Sequence, residues 1–370
     1  MENFLTGIPA PLWLMMFLKV LGFVLHLVPM GLWAVGLPLA VAAACCSSQE
    51  KPLGRFGNQV LRQLPIFVAL GVNFGIVPLL FLQTIYPKPF YTATILVAWH
   101  WIIIIPLLLV GYYAVYLTAF AAKEGRAAAV LPLGLIASLC FILIGLLMSN
   151  GLTLIAHPER WALIFEKTQI AGAVTGLGNN MRDPTFPWRL ATLFSLALIT
   201  VALWALVDAC VLAEGTRDEN RPYRRWAIRF ATCFTFLAAA LLSGIEGAIK
   251  NGFPWSDDLA RDYPCFGYVP LLAVVLFVLL LFVWIKGDYG ARMLSAVVLI
   301  YTSLLAVFGI IRQWGQHETL TAVAGLTDLT ENVQWEPVLM FLITFVGGVL
   351  CITWIIRQLA LAPPDLQEKA

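Results

Sequence analysis

The sequence predicts an all-α polytopic membrane protein of about nine transmembrane helices. Hydrophobic residues make up 61% of its 370 positions and charged residues only 12%. Mean hydropathy is +0.86, well outside the balance of a soluble domain. The apolar residues also fall in runs of about 20 or more, long enough to cross ~30 Å of hydrocarbon. No polar stretch is long enough to hold a second fold, so the chain reads as a single integral membrane domain over 1–370.

The runs fall roughly at 12–44, 64–85, 92–120, 127–156, 188–213, 225–250, 267–285, 292–312 and 337–360. The first is long enough to tilt or to project beyond the bilayer, and it carries Lys19 and His26. An imidazole in hydrocarbon needs a hydrogen-bond partner, a metal or a cofactor, and haem iron is the first candidate. Lys19 lies seven residues earlier on nearly the same face. It either points into the bundle, to meet a haem propionate or a carboxylate, or snorkels outward. Asn73 and Gln83 on the second run, with Asn150 on the fourth, suit interhelical hydrogen bonding. The third run opens near His100, flanked by Trp99 and Trp101, where aromatic belts sit.

Met148 on the fourth run is a gap-filling residue or a thioether ligand. The loop at 157–187 contains WALIFEKTQIA, which suits a short interfacial helix, with Gly-Asn-Asn and Asp-Pro turns behind it. His157 and His317 are expected in solvated surface positions, and Asp208, near the end of the fifth run, is expected to reach water. Glu246 and Lys250 have the i,i+4 spacing of an ion pair; the functional alternative makes Glu246 a proton-conducting acid or a haem ligand. Met340 lies on the ninth run.

Lys and Arg in short loops set orientation. Lys51, Arg55 and Arg62; Lys123 and Arg126; Arg217, Arg221, Arg224 and Arg225; and Lys286 follow the odd-numbered runs. The other connections mix acids with their bases. This places the N-terminus outside and the C-terminus inside a bacterial cytoplasmic (inner) membrane. The start lacks the basic n-region of a cleavable signal, so the first span is expected to be retained.

The seven cysteines are scattered, as small hydrophobes within helices rather than a framework. The sequence has no C-x-x-C-H for covalent haem, no Walker A loop, no dinucleotide fingerprint and no zincin helix. Membrane lipid is an expected partner, and nucleic acid is not.

A family resemblance runs through the first five spans, 1–213. LKVLGFVLHLVPMGLWAVGLPLAVA resembles the first helix of the large, haem-bearing subunit (subunit I) of cytochrome bd-type quinol oxidases. ALGVNFGIVPLLFLQTIY is similar to that family's second helix, with its GVxxGI-type start. SLCFILIGLLMSNGLTL resembles the end of the fourth, and RDPTFPWRLATLFSLALITVAL stands where an Asn-Pro turn opens the fifth. The remaining helices occupy 214–370.

The resemblance implies that His26 binds a haem b. Other parts of the family's equipment have no counterpart. The fifth-helix histidine is replaced by the stretch Arg189 to Leu193, 267–285 contains neither His nor Met, and 92–120 has no Asp or Glu. The quinol-binding loop shrinks to about 251–266, and the GRxQPW-like signature leaves Arg312-Gln313-Trp314. A complete oxygen reductase is therefore not expected of this chain alone. The expectation is a haem b electron-transfer subunit linking the quinone pool to an outward-facing partner such as a c-type cytochrome. Its iron would sit between His26 and His100, or between His26 and a thioether from Met148 or Met340, or keep an open position. The alternatives are a cofactor-free structural or assembly subunit and, with less support, a transporter using Lys19, Glu246 and Asn73.

Overall fold

The computed structural model describes residues 7–48, 50–213, 216–287, 290–323 and 331–361. Among these, all regular elements are helices, and eight are long and apolar enough to cross a membrane. In chain order they are α1 (Leu12–Gly31), a π-helical turn (Leu32–Gly36), α2 (Leu37–Cys46), α3 (Pro52–Ile85), α4 (Pro87–Leu96), α5 (Ala98–Lys123) and α6 (Ala127–Ala156). There follow α7 (Trp161–Thr168), α8 (Phe186–Val207), α9 (Arg221–Lys250), α10 (Ser256–Asp262), α11 (Tyr268–Lys286), α12 (Ala291–Val323) and α13 (Trp335–Leu361). The apolar runs read from the sequence correspond to these helices, with ends displaced where polar turns extend them.

Contacts divide the chain into Met16–Thr327 and a smaller unit of Met1–Met15 with Asp328–Ala370. In the smaller unit Ile8 and Glu331 form a parallel bridge. Asn332 N donates to Ile8 O (2.9 Å), and Gln334 N to Pro9 O (2.9 Å). The Glu331 carboxylate accepts from Leu12 N at 3.0 Å, next to the start of α1.

Helix α1, the π turn and α2 make one span of 35 residues, of which Met16–Cys46 belong to the larger unit. The π turn lies between Pro29 and Pro38, neither of which can donate an N–H to the helical ladder. Helix α8 is the buried axis: 67% of its most apolar window is buried, against 17% for α3 and 22% for α5, which face lipid. The core includes Leu32, Leu37, Phe56, Leu64, Ile199 and Ala202, all with zero exposure. Within the spans, buried Thr118, Ser138, Thr200 and Thr232 bond carbonyls of their own helices.

Two sequence expectations are corrected. Asp208 does not reach water; it is 2% exposed, in a second π-helical turn (Asp208–Leu212) that ends α8. There it accepts the Tyr223 hydroxyl, and the Tyr223 ring lies under the Arg55 guanidinium, 4.6 Å from its centroid. His157 is not a solvated loop residue. It is 1% exposed, because the segment after α6 folds back over the helix ends.

Candidate cofactor site

His26 faces α3 at Gly71 and Gly75, the glycines of GVNFGI. Its Nδ1 is 2.8 Å from Gly71 O. A carbonyl can only accept, so Nδ1 carries the proton and the neutral ring keeps its lone pair on Nε2. A Cβ at Gly75 would come within 2.8 Å of the imidazole, and one at Gly71 within 2.0 Å of the Trp33 ring. The small-xxx-small spacing is thus a seat for one imidazole and one indole. Trp33 meets His26 edge-on, with ring centroids 5.8 Å apart.

Two helical turns from His26, Lys19 is only 3% exposed, so it points into the bundle rather than snorkelling. Its Nζ donates to Gln316 Oε1 at 2.7 Å and lies 5.0 Å from the Tyr86 ring centroid. The Tyr86 hydroxyl is 2.6 Å from His317 Nδ1, so His317 too is engaged and not simply solvated. The Arg312 guanidinium is 4.4 Å from the centroid of the Phe23 ring, and Gln313 Nε2 donates to Met16 Sδ at 2.9 Å. The Arg312-Gln313 fragment of the sequence therefore belongs to this cluster. Among the described residues neither Lys19 nor Arg312 has a carboxylate within ion-pair distance.

A cavity of about 60 Å³ beside them is lined by Arg189, Asp262, Tyr263, Arg312 and Gln316. Asp262 pairs with Arg189 and lies 3.5 Å from His157 Nε2. His157 Nδ1 donates to Glu159 at 2.8 Å. Burial alone would lower the His157 pKa. Hydrogen bonding to the Asp262 and Glu159 carboxylates outweighs both burial and the nearby Arg189, and pushes it up to about 9. Burial likewise opposes the Glu159 charge, but His157 and Arg261 prevail and bring that carboxyl down to about 2. Asp183, buried yet bonded by the Thr185 hydroxyl and backbone N–H, is also held below its ordinary value. None of Arg189, Asp262, Tyr263 and Glu159 stood out in the sequence as a site residue; loop acids and bases carry no periodic signal, and only the fold-back of two loops brings them together.

His100 does not join His26. It is the third residue of α5, and its Nδ1–H donates to Gly178 O at 2.9 Å. Trp99 N donates to Gly176 O (3.1 Å), and Gly178 N to Leu96 O (2.8 Å). His100 thus pins the 176–178 loop to the break at Val97. His26, by contrast, is bonded at Gly71, fourteen residues before the end of α3 at Ile85, or ~21 Å along its axis. Met148 is half-buried on α6, and Met340 is 66% exposed. Glu246 makes the i,i+4 ion pair with Lys250 at 3.0 Å. Asn150 is fully buried, its side-chain oxygen accepting Asn180 N at 2.7 Å, so it fastens the loop rather than a neighbouring helix. Asn73 bonds its own helix at Ala69 O.

The residues around His26 fit a haem. One imidazole nitrogen is anchored and the other keeps a lone pair, Gly71 and Gly75 let the imidazole and the Trp33 indole seat against α3, and the basic groups of buried Lys19 and half-buried Arg312 have no carboxylate within ion-pair distance among the described residues. A haem there would be held through His26 Nε2, with Lys19 and Arg312 beside its anionic edge; His100 is bonded instead to Gly178 O. Among the described residues no group of three or more His, Cys, Asp and Glu side chains forms a separate metal centre.

No family model matches the sequence, and no curated protein matches it. A solved structure does: the bd oxidase from Geobacillus thermodenitrificans aligns with a TM-score of 0.58 at 14% identity, over 97% of this chain and 100% of that one. The likeness bears out the distant resemblance read from the sequence. It also extends the shared fold well past the fifth span.

Proposed function

We propose that this chain is a membrane electron-transfer subunit of a bd-like respiratory complex, holding one haem b on His26. In this reading it links the quinone pool to an outward-facing redox partner such as a c-type cytochrome. The observation that carries it is the pairing of His26, anchored through Nδ1 with Nε2 left as a donor pair, with buried Lys19 and half-buried Arg312, neither of which has a carboxylate within ion-pair distance among the described residues. Bound haem supplies one-electron chemistry at a potential set by its ligand and surroundings. The chain supplies the rest. Gly71 O fixes the ring tautomer and orientation, Trp33 and Gly75 hold the imidazole in place, and Lys19 and Arg312 favour the anionic edge of the cofactor.

The test is the optical spectrum and haem content of the purified, dithionite-reduced protein. A b-type α-band that is lost in His26→Ala, while the variant still inserts, supports the reading. Haem content unchanged in His26→Ala makes His26 a packing residue and refutes it.

A second reading has its own observation. The contacts to Gly71, Gly75 and Trp33 also satisfy His26 without iron, as expected of a cofactor-free structural or assembly subunit of the same kind of complex. The absence of any visible absorption in protein prepared from haem-replete cells selects it.

A further inference from the structure

We propose that the groove formed by α7 and residues 177–182 binds the phosphate diester of an anionic phospholipid. The groove has a volume of about 610 Å³, and Arg160, Lys167 and Arg182 line it alongside Leu163, Leu177 and Met181. No carboxylate is among its lining residues. Arg160 is committed to Asp183 (3.3 Å) and to Asn180 (2.9 Å), but among the described residues Lys167 and Arg182 have no ion-pair partner. Both are exposed, so two cations face the groove free to take an anion.

The apolar side of the same loop sets the kind of anion. Ile170 is 71% exposed and Val174 41%, with Leu163 at 49% and Leu177 at 58%. Ile170 and Ala173 exchange hydrogen bonds of 3.0 and 2.9 Å across a turn that holds Ala171 at φ 51° and Gly172 at φ 81°. A left-handed alanine is strained, and here the turn presents an apolar tip to the surroundings. Trp99, 60% exposed, is hydrogen-bonded to this loop at Gly176, and exposed tryptophan marks the level of lipid headgroups. Cations beside apolar side chains at that level match a headgroup and its first methylenes, whereas a free phosphate would use only the cations.

The full chain, purified in uncharged detergent and stripped of lipid, is titrated with phosphatidylglycerol, phosphatidylcholine or inorganic phosphate, and bound ligand is counted by native mass spectrometry. Phosphatidylglycerol is expected to bind in preference to phosphatidylcholine. Lys167→Gln with Arg182→Gln should weaken it roughly 30-fold, about fivefold per cation, while Arg221→Gln with Arg225→Gln at the other end of the bundle leaves it within twofold. Equal binding of phosphatidylcholine, or an unaffected double variant with an unchanged unfolding midpoint, overturns the proposal. Inorganic phosphate binding as tightly as phosphatidylglycerol overturns the lipid assignment and leaves a free-anion site. The readout involves no absorption spectrum, so it stands or falls separately from the haem reading.

Discussion

Raising the pH should unlock the fold-back at His157 before it disturbs the helices beneath. The imidazole is 2% exposed at its side chain and keeps its proton to about pH 9, against an ordinary value of 6.5. A folded-state value raised in this way contributes stability that is complete below pH 6.5 and is lost as the pH climbs through 9. The difference corresponds to about 3 kcal/mol. A chain of 370 residues has an unfolding entropy of about 0.8 kcal/mol per kelvin at its midpoint, so the loss amounts to about 4 °C. Glu159 has the opposite sign: its depressed pKa protects from above pH 4.5 and fails only as the pH falls toward 2. The wild-type midpoint in detergent, followed by tryptophan fluorescence, should therefore be level between about pH 4.5 and 6.5 and fall by about 4 °C by pH 9.5. His157→Gln should start lower and lack that fall. A variant that declines as steeply as the wild type would show that the pH dependence arises elsewhere and that His157 is not a buried imidazolium.

Two further outcomes are expected. Gly71→Ala sets a methyl 2.0 Å from the Trp33 ring and 3.0 Å from Pro29, which forces α1 and α3 apart; overpacking of this kind costs about 1–3 kcal/mol, read as a lower unfolding midpoint. Asn179→Cys, exposed on the loop between α7 and α8, should react with an impermeant maleimide from outside intact cells, and labelling only from the cytoplasmic side would reverse the assigned orientation.

The spans were legible because hydrocarbon thickness imposes a minimum length on an apolar run, and nothing else in the sequence mimics that signal. The break at Val97 was not, since VAWHWIIII contains no Gly or Pro to mark it and the kink depends on the loop bonded to it at Gly176 and Gly178. His26 and Lys19 stood out because a titratable residue in a span is rare. His157 misled for the complementary reason: it stands outside a span, and only tertiary folding buries it. The Arg189–Asp262 pair joins residues 73 positions apart, a separation at which local pattern carries no information. Arg312 and Gln313 were visible only through the resemblance, which marked them before any contact with Phe23 or Met16 was known.

The distribution of charge along the bundle has an electrical consequence. Lys19, Arg189, Asp262, His157 and Arg312 share one end, while the zero-exposure core around Leu32, Phe56 and Ile199 fills much of the depth behind them. A charge exchanged between that polar end and the adjoining water traverses only a small part of the transmembrane field. Crossing the whole bilayer would involve about 2.3 kcal/mol per charge for every 100 mV. Chemistry confined to that layer is nearly blind to membrane voltage, whereas an electron carried to His26, bonded about 21 Å along α3 from its end at Ile85, would cross a larger share of the field.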